Sequence, residues 1–305
     1  AIEEYKRAIA LKDNYFEAWY GLGSAYFDVE NYREAITAFE RAKRLRNDNA
    51  EVVANLADAY RQIGDYNQAE TNYSLAVLFF ERQRDFAQNK ATRDLTADIY
   101  GRWGFVIAKQ CEMNVKRGMS CKWNTAVNAL DKASALSHDN FDTANLGWAY
   151  YNAARADMAA DRKEEARAKL LKARDNLKQA IETNPGYMQG PLLNLGMVYT
   201  DLQDYPAAIE TFKKVVAREP KWVFALNELG IAYMNNGNYK EAAAEFRKAV
   251  SRDNKFAPAY FNLAHAEYKN GNMGEAKKAY SRLRSLGRAD LATRLDVLTG
   301  GRIRK

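Results

Sequence analysis

One spacing governs what this chain can fold into: 34 residues. Leu195, Leu229 and Leu263 lie 34 apart, as do Gly196, Gly230 and Ala264. Ala208, Ala242 and Ala276 keep the same step, and so do Phe212, Phe246 and Tyr280. Near the other end Leu22 pairs with Leu56, Tyr26 with Tyr60, Ala35 with Ala69, and Ala42 with Ala76. A fixed period of this length means stacked supersecondary units, none of which can bury its apolar face alone.

Each unit reads as two amphipathic helices. In "AWYGLGSAYFDVENYREAITAFERAKRL", Trp19, Leu22, Gly23 and Tyr26 follow helical spacing, and Ala35, Phe39 and Ala42 resume it. Between the two runs sits Asn31, with Glu34 three residues on: a capping box expected to start the second helix. Asp65 with Gln68, Asn238 with Glu241, Asn272 with Glu275, and Asp161 with Glu164 repeat the device. Small residues at the crossing let the paired helices approach, and aromatic rings fill the space between them.

These residues resemble the tetratricopeptide repeat family, whose pattern is W-x2-L-G-x2-Y, then A-x3-F-x2-A, then P. Trp19, Leu22, Gly23, Tyr26, Ala35, Phe39 and Ala42 match it, with Asn47 in place of the closing proline. The resemblance implies an all-α, right-handed helical solenoid of about seven helix pairs forming a single array over residues 1–305. Residues 1–15 read as a half repeat with an apolar Ile2, Tyr5 and Ile9 face, and "AIEEYKRAIALKDNY" starts as if in mid-helix. Two regular repeats follow over 16–83, enlarged repeats over 84–188, three regular repeats over 189–287, and a capping helix with a basic tail over 288–305. In the cap, "ADLATRLDVLTG" offers Leu291, Leu295 and Leu298 as one apolar stripe.

The centre departs from the period. Between Ala57, Gly104, Gly147 and Gly196 the steps are 47, 43 and 49 residues, with Gly101 an alternative to Gly104. The added residues, in "AYYNAARADMAADRKEEARAKLLKARDNLKQAIETNP", favour helix, so two helices of roughly 20 residues are expected to meet near Ala160. Such helices would project about 10 Å past their neighbours. "FERQRDFAQNKATRDLTADIY" lengthens the connection before them. The enlargement reads either as a neutral insertion or as a protruding platform for a dedicated partner.

A polar residue recurs directly before the Leu-Gly or equivalent pair, at Asn55, Asn145, Asn194 and Asn262; Gly21, Arg102 and Glu228 occupy the place elsewhere. In the resembled family the first helix of each pair lines a concave groove, and this position faces into it. An amide there both donates and accepts, and so suits a peptide backbone. The column is similar to the asparagine ladder of O-linked N-acetylglucosamine transferase repeats, though broken here and without any transferase domain. Bonding between neighbouring helices is the other reading of these asparagines. Tyr20, Phe27, Trp148, Tyr151, Phe261 and Tyr268 fall on the same side, as packing or as apolar anchors for a peptide.

Catalytic chemistry is not legible. His138 and His265 are the only histidines, and no metal-ligand spacing, nucleophile–base set or phosphate-binding glycine loop accompanies them. No cofactor is expected. The sequon "NYS" at Asn72 falls inside a predicted helix. The net charge is +7, with basic excess at Lys277, Lys278, Arg282, Arg284, Arg288, Arg294, Arg302, Arg304 and Lys305, which suits an acidic protein partner better than nucleic acid. No run of apolar residues is long enough to span a membrane.

Cys111 and Cys121 bracket "CEMNVKRGMSC", where Gly118 suits a turn. They are expected either as buried thiols or as a disulfide, and a bridge would favour a periplasmic or extracellular location over a cytoplasmic one. Two functions follow as expectations. One is a non-enzymatic scaffold holding an extended peptide or partner helix in its groove. The other is a structural subunit of a larger assembly or filament, associating through the open N-terminal end.

Overall fold

The computed structural model describes residues 1–83, 88–116, 119, 121–136, 140–183, 186 and 189–304, without the side chains of 116 and 140–142. Every regular element among the described residues is a helix. The chain divides into two compact units, Ala1–Arg162 and Lys163–Lys305. Unit 1 holds α1 (Ile2–Leu11), α2 (Phe16–Asp28), α3 (Tyr32–Leu45), α4 (Ala50–Gln62), α5 (Tyr66–Glu81), α6 (Lys90–Lys116), α7 (Trp123–Leu136) and α8 (Asn140–Ala159). Unit 2 holds α9 (Lys163–Thr183), α10 (Gln189–Asp201), α11 (Tyr205–Arg218), α12 (Val223–Asn235), α13 (Tyr239–Arg252), α14 (Ala257–Lys269), α15 (Met273–Ser285) and α16 (Ala289–Thr299).

Within each unit successive helices pack on one another, the stacking of a helical solenoid. First helices of neighbouring pairs also approach each other: α2 with α4, α6 with α8, α10 with α12, and α12 with α14. The inner side of a curved stack requires such an approach. The five regular first helices, α2, α4, α10, α12 and α14, are each 13 residues long.

Packing inside a pair follows a rule that the sequence only half displays. A methyl added at Gly23, Gly196 or Gly230 would lie 2.5 Å from the ring of Phe39, Phe212 or Phe246 respectively. Where alanine replaces the glycine, at Ala57 and Ala264, the ring 16 residues on is Tyr73 or Tyr280 instead. Each phenol finds a carboxylate: Tyr73 donates to Asp58 at 2.6 Å and Tyr280 to Asp296 at 3.0 Å. In the third pair Gly104 takes a crossing position, against Leu130.

The turn inside a pair needs one left-handed residue. Glycine supplies it at Gly64 (φ 79°), Gly237 (82°) and Gly271 (81°), whereas Glu30 (60°), Asp161 (58°) and Gln203 (64°) hold it elsewhere. This corrects the expected capping box at Asp161, because α9 begins two residues later and Asp161 serves the turn. The remaining boxes are partial. Asp65 accepts from the Gln68 amide at 3.1 Å, as expected. Asn31, Asn238 and Asn272 stand at the N-cap with non-helical backbone but make no side-chain cap bond. Asn49 and Asp204, which no box pattern marks, do cap their helices.

The long central helices exist. α8 runs for 20 residues and α9 for 21, with the turn at Ala160–Arg162, and α6 reaches 27 residues. Asn72 of the sequon is buried in α5, donating to the Gln68 carbonyl at 2.9 Å and accepting from Lys43 at 2.8 Å. The cap needs one correction: α16 buries Leu291 and Leu295, but Leu298 is 52% exposed. Ile303, returning beyond the helix end, is buried in its stead. Cys111 and Cys121 form a disulfide, with α carbons 5.0 Å apart. Gly118, where a turn is expected, lies outside the described residues.

Candidate functional site

Building upward from the recurring amide, the position before the Leu-Gly pair binds backwards across the stack. The Asn55 amide on α4 donates to the Tyr20 hydroxyl on α2 at 3.0 Å. That of Asn262 on α14 donates to Asn227 Oδ1 on α12 at 2.9 Å, and Asn227 in turn donates to Glu228 at 3.2 Å. Arg102 on α6, which holds the equivalent place, donates to Asp58 on α4. The other two asparagines differ. Asn145 on α8 and Asn194 on α10 are half-buried, and among the described residues neither side chain has a hydrogen-bond partner.

Tyr20, Phe27, Trp148, Phe261 and Tyr268 are half-buried, whereas Tyr151 is 4% exposed and belongs to the core. The half-buried ones are tethered. Trp148 meets Trp123 edge to face at 5.9 Å, with Lys109 5.3 Å from its ring centre. Arg294 lies 5.5 Å from the Phe261 ring, and Arg302 donates to the Tyr268 hydroxyl at 3.4 Å. Phe27 packs on Tyr32 at 5.3 Å. His265 sits half-buried on α14, and His138 lies outside the described residues.

Phe27 and Asn55 meet in a cavity of about 440 Å³ within unit 1, among α2, α4 and α6. Ser24, Gln62, Arg61 and Arg102 complete most of its wall. Beneath it Asp58, 4% exposed, accepts from Tyr73 at 2.6 Å, from Arg61 at 3.3 Å and from Arg102. Asp98 takes a second guanidinium nitrogen of Arg102. Burial opposes the Arg102 charge, but Asp58 and Asp98 outweigh it and hold its pKa above the ordinary value. Burial, with the Asp58 charge behind it, pushes the Tyr73 phenol up, so it stays a donor. The wall therefore presents fixed donors, the amides of Asn55 and Gln62, the rings of Phe27 and Phe39, and the Asp28 carboxylate. Asp58, Arg61 and Gln62 were not singled out by sequence; the available signal was a charged residue at an otherwise apolar position, three before Arg61 on the same helix face.

Family models described as tetratricopeptide repeat match residues 16–49, 50–79, 193–258 and 233–293, and a TPR repeat model matches 1–29. Together they span more than half of the chain. These are tetratricopeptide repeats. No curated protein matches the chain in sequence. Among solved structures, the C-terminal part of a tetratricopeptide repeat-containing protein from Cytophaga hutchinsonii is 15% identical, with a TM-score of 0.62 over 90% of this chain and 98% of that one. A tetratricopeptide repeat protein from Parabacteroides merdae is 14% identical, with a TM-score of 0.54 over 93% and 98%. The APC/C hetero-tetramer Cut9–Hcn1 gives 16% identity and a TM-score of 0.52 over 86% of this chain and 44% of that one. At these identities the likeness is one of fold. The tetratricopeptide matches leave residues 80–192, the enlarged stretch, outside their bounds.

Proposed function

We propose that the chain is a non-enzymatic protein-interaction scaffold that holds an extended peptide against the first helices of its repeats. The observation that carries this reading is the unit 1 cavity, where Phe27, Asn55, Gln62 and Arg102 present one apolar and several polar contacts together. A peptide offers a matching alternation of side chains and backbone groups. The side-chain amides of Asn145 in unit 1 and Asn194 in unit 2, without hydrogen-bond partners among the described residues, suit the same use, whereas Asn55 and Asn262 already serve the stack. The fold supports partner binding in general, and every matching family model describes a repeat rather than an enzyme. No described helix is long and apolar enough to cross a membrane. The disulfide favours an oxidising compartment.

The test is capture from the native source, identification of the bound segment, and measurement of its affinity. Phe27→Ala is expected to weaken binding more than tenfold, as an apolar anchor does, and Asn145→Ala, in the same unit, by roughly 2- to 12-fold. If neither variant shifts Kd beyond twofold while both keep the wild-type melting temperature, the groove reading fails. Self-association through α1 is the second reading: that helix buries no residue fully, and Ile2, Tyr5 and Ile9 stay half-exposed. Sedimentation at rising concentration then shows a mass above the monomer.

A further inference from the structure

The first helices of both enlarged repeats are lengthened beyond the crossing residue, and α6 is lengthened at its start as well. In every regular first helix the crossing residue (Gly23, Ala57, Gly196, Gly230 or Ala264) stands five residues before the last. In α6 and α8 the crossing residues Gly104 and Gly147 stand twelve before it. Each helix thus runs about two turns past the regular boundary. The partner helix α7 has the ordinary 14 residues, so it does not follow α6 outward. The disulfide makes up that lack: Cys111, in the extension of α6 and 2% exposed, is bonded to Cys121 just before α7.

Between the two extensions lies a cavity of about 540 Å³, within the range of sites that take a ligand. Its walls are mainly apolar. Val115 comes from α6, Ala156 and Ala159 from α8, Met119 and Cys121 from the bridged segment, and Trp123 of α7 closes it. Val115 is 58% and Met119 56% exposed, a costly display unless something covers them. The rim carries two charges. Glu112 is paired to Lys109 at 3.0 Å, whereas Arg155 contacts only the Tyr151 ring at 5.9 Å and forms no ion pair among the described residues. An open apolar cavity beside one uncompensated cation is matched by an apolar side chain next to a carboxylate.

We propose that the extensions of α6 and α8 form a second docking site, separate from the unit 1 groove, for a partner-protein segment that presents an aliphatic or aromatic side chain within one turn of Asp or Glu. The disulfide anchors Cys121 in the wall, beside which Met119 stands. Methionine at that wall adapts to side chains of different shape.

A random dodecapeptide display library selected on the oxidised full chain, and counter-selected on Ala156→Trp, tests this directly. The Trp ring fills the cavity from an exposed wall position. Enriched peptides are expected to carry Leu, Ile, Met or Phe within a turn of an acid. Made synthetically, they bind the wild type at least tenfold tighter than Ala156→Trp, and several-fold tighter than Arg155→Gln. The Cys111→Ser, Cys121→Ser double variant is expected to lose at least fivefold, and Gln62→Ala to lose nothing. Val115→Asp replaces Ala156→Trp if the latter does not melt like the wild type. Peptides that bind Ala156→Trp (or Val115→Asp) and Arg155→Gln as well as the wild type, peptides that Gln62→Ala weakens as much, a basic or acid-free enriched pool, or no enrichment at all would overturn the proposal. So would a dimer of the chain that Ala156→Trp dissociates, which would make a second copy the occupant.

Discussion

At the residue scale, two side chains stand in places that their chemistry opposes. Gln203 carries a φ of 64° where sibling repeats use glycine, and a side chain in that region costs roughly 1 kcal/mol. Gln203→Gly is therefore expected to raise stability by about 0.5–1 kcal/mol, read by thermal or urea unfolding. The second is His265. Burial, and then the nearby Lys269 charge, hold its imidazole below the ordinary 6.5. The unfolded chain consequently takes up this proton at a higher pH than the folded one does. Stability from this residue is complete above 6.5 and is lost as pH falls below it. Melting temperature should decline over that interval and decline less in His265→Gln. Several residue-scale details escaped the sequence. Asn31, Asn238 and Asn272 were legible as helix starts, but whether an amide rotates onto the backbone depends on neighbours that the pattern does not fix. The partner of Asn55 was hidden for a simpler reason: alignment by 34 sets Gly21 opposite it, while the bond goes to Tyr20, one residue away.

At the scale of the element, the glycine–phenylalanine and alanine–tyrosine pairings make a prediction by exchange. Gly230→Ala gains helix propensity, worth about 1 kcal/mol, but drives a methyl to 2.5 Å from the Phe246 ring. Overpacking costs roughly 1–3 kcal/mol, so a net loss of about 1 kcal/mol is expected from denaturant unfolding. The disulfide gives a second prediction. Its ring spans a sequence separation of 10. Reduction should remove about 2–3 kcal/mol of loop-closure stabilisation. The loss should be local: hydrogen exchange is expected to quicken at the end of α6 and the start of α7, with α12–α15 unchanged. Elements were the most legible scale. The steps of 47, 43 and 49 residues announced the long helices, since crossing residues recur in sequence even where length does not. Leu298 was misplaced because helical periodicity assigns a stripe only inside a helix, and Ile303 returns to the core after its end.

At the scale of the whole molecule, a stack of nearest-neighbour contacts confines damage to its surroundings. Phe246→Ala opens a core position and should cost 3–5 kcal/mol, an order-of-magnitude figure for such truncations. Hydrogen exchange is expected to show α12–α15 losing protection while α2–α5 keep theirs; uniform loss over the chain would contradict a nearest-neighbour stack. The rungs that join consecutive first helices carry a further consequence, for inheritance rather than for energy. Genes built from like segments gain and lose copies by unequal recombination, and a 34-residue block could be excised without shifting the reading frame. Yet Tyr20 mates with Asn55, Asp58 with Arg102, and Asn227 with Asn262, each by different chemistry. Excising residues 50–83 would bring the guanidinium of Arg102 up to a helix that offers Tyr20 and Ser24, with Asp58 gone. The copies are alike enough to stack and too particular to be shuffled.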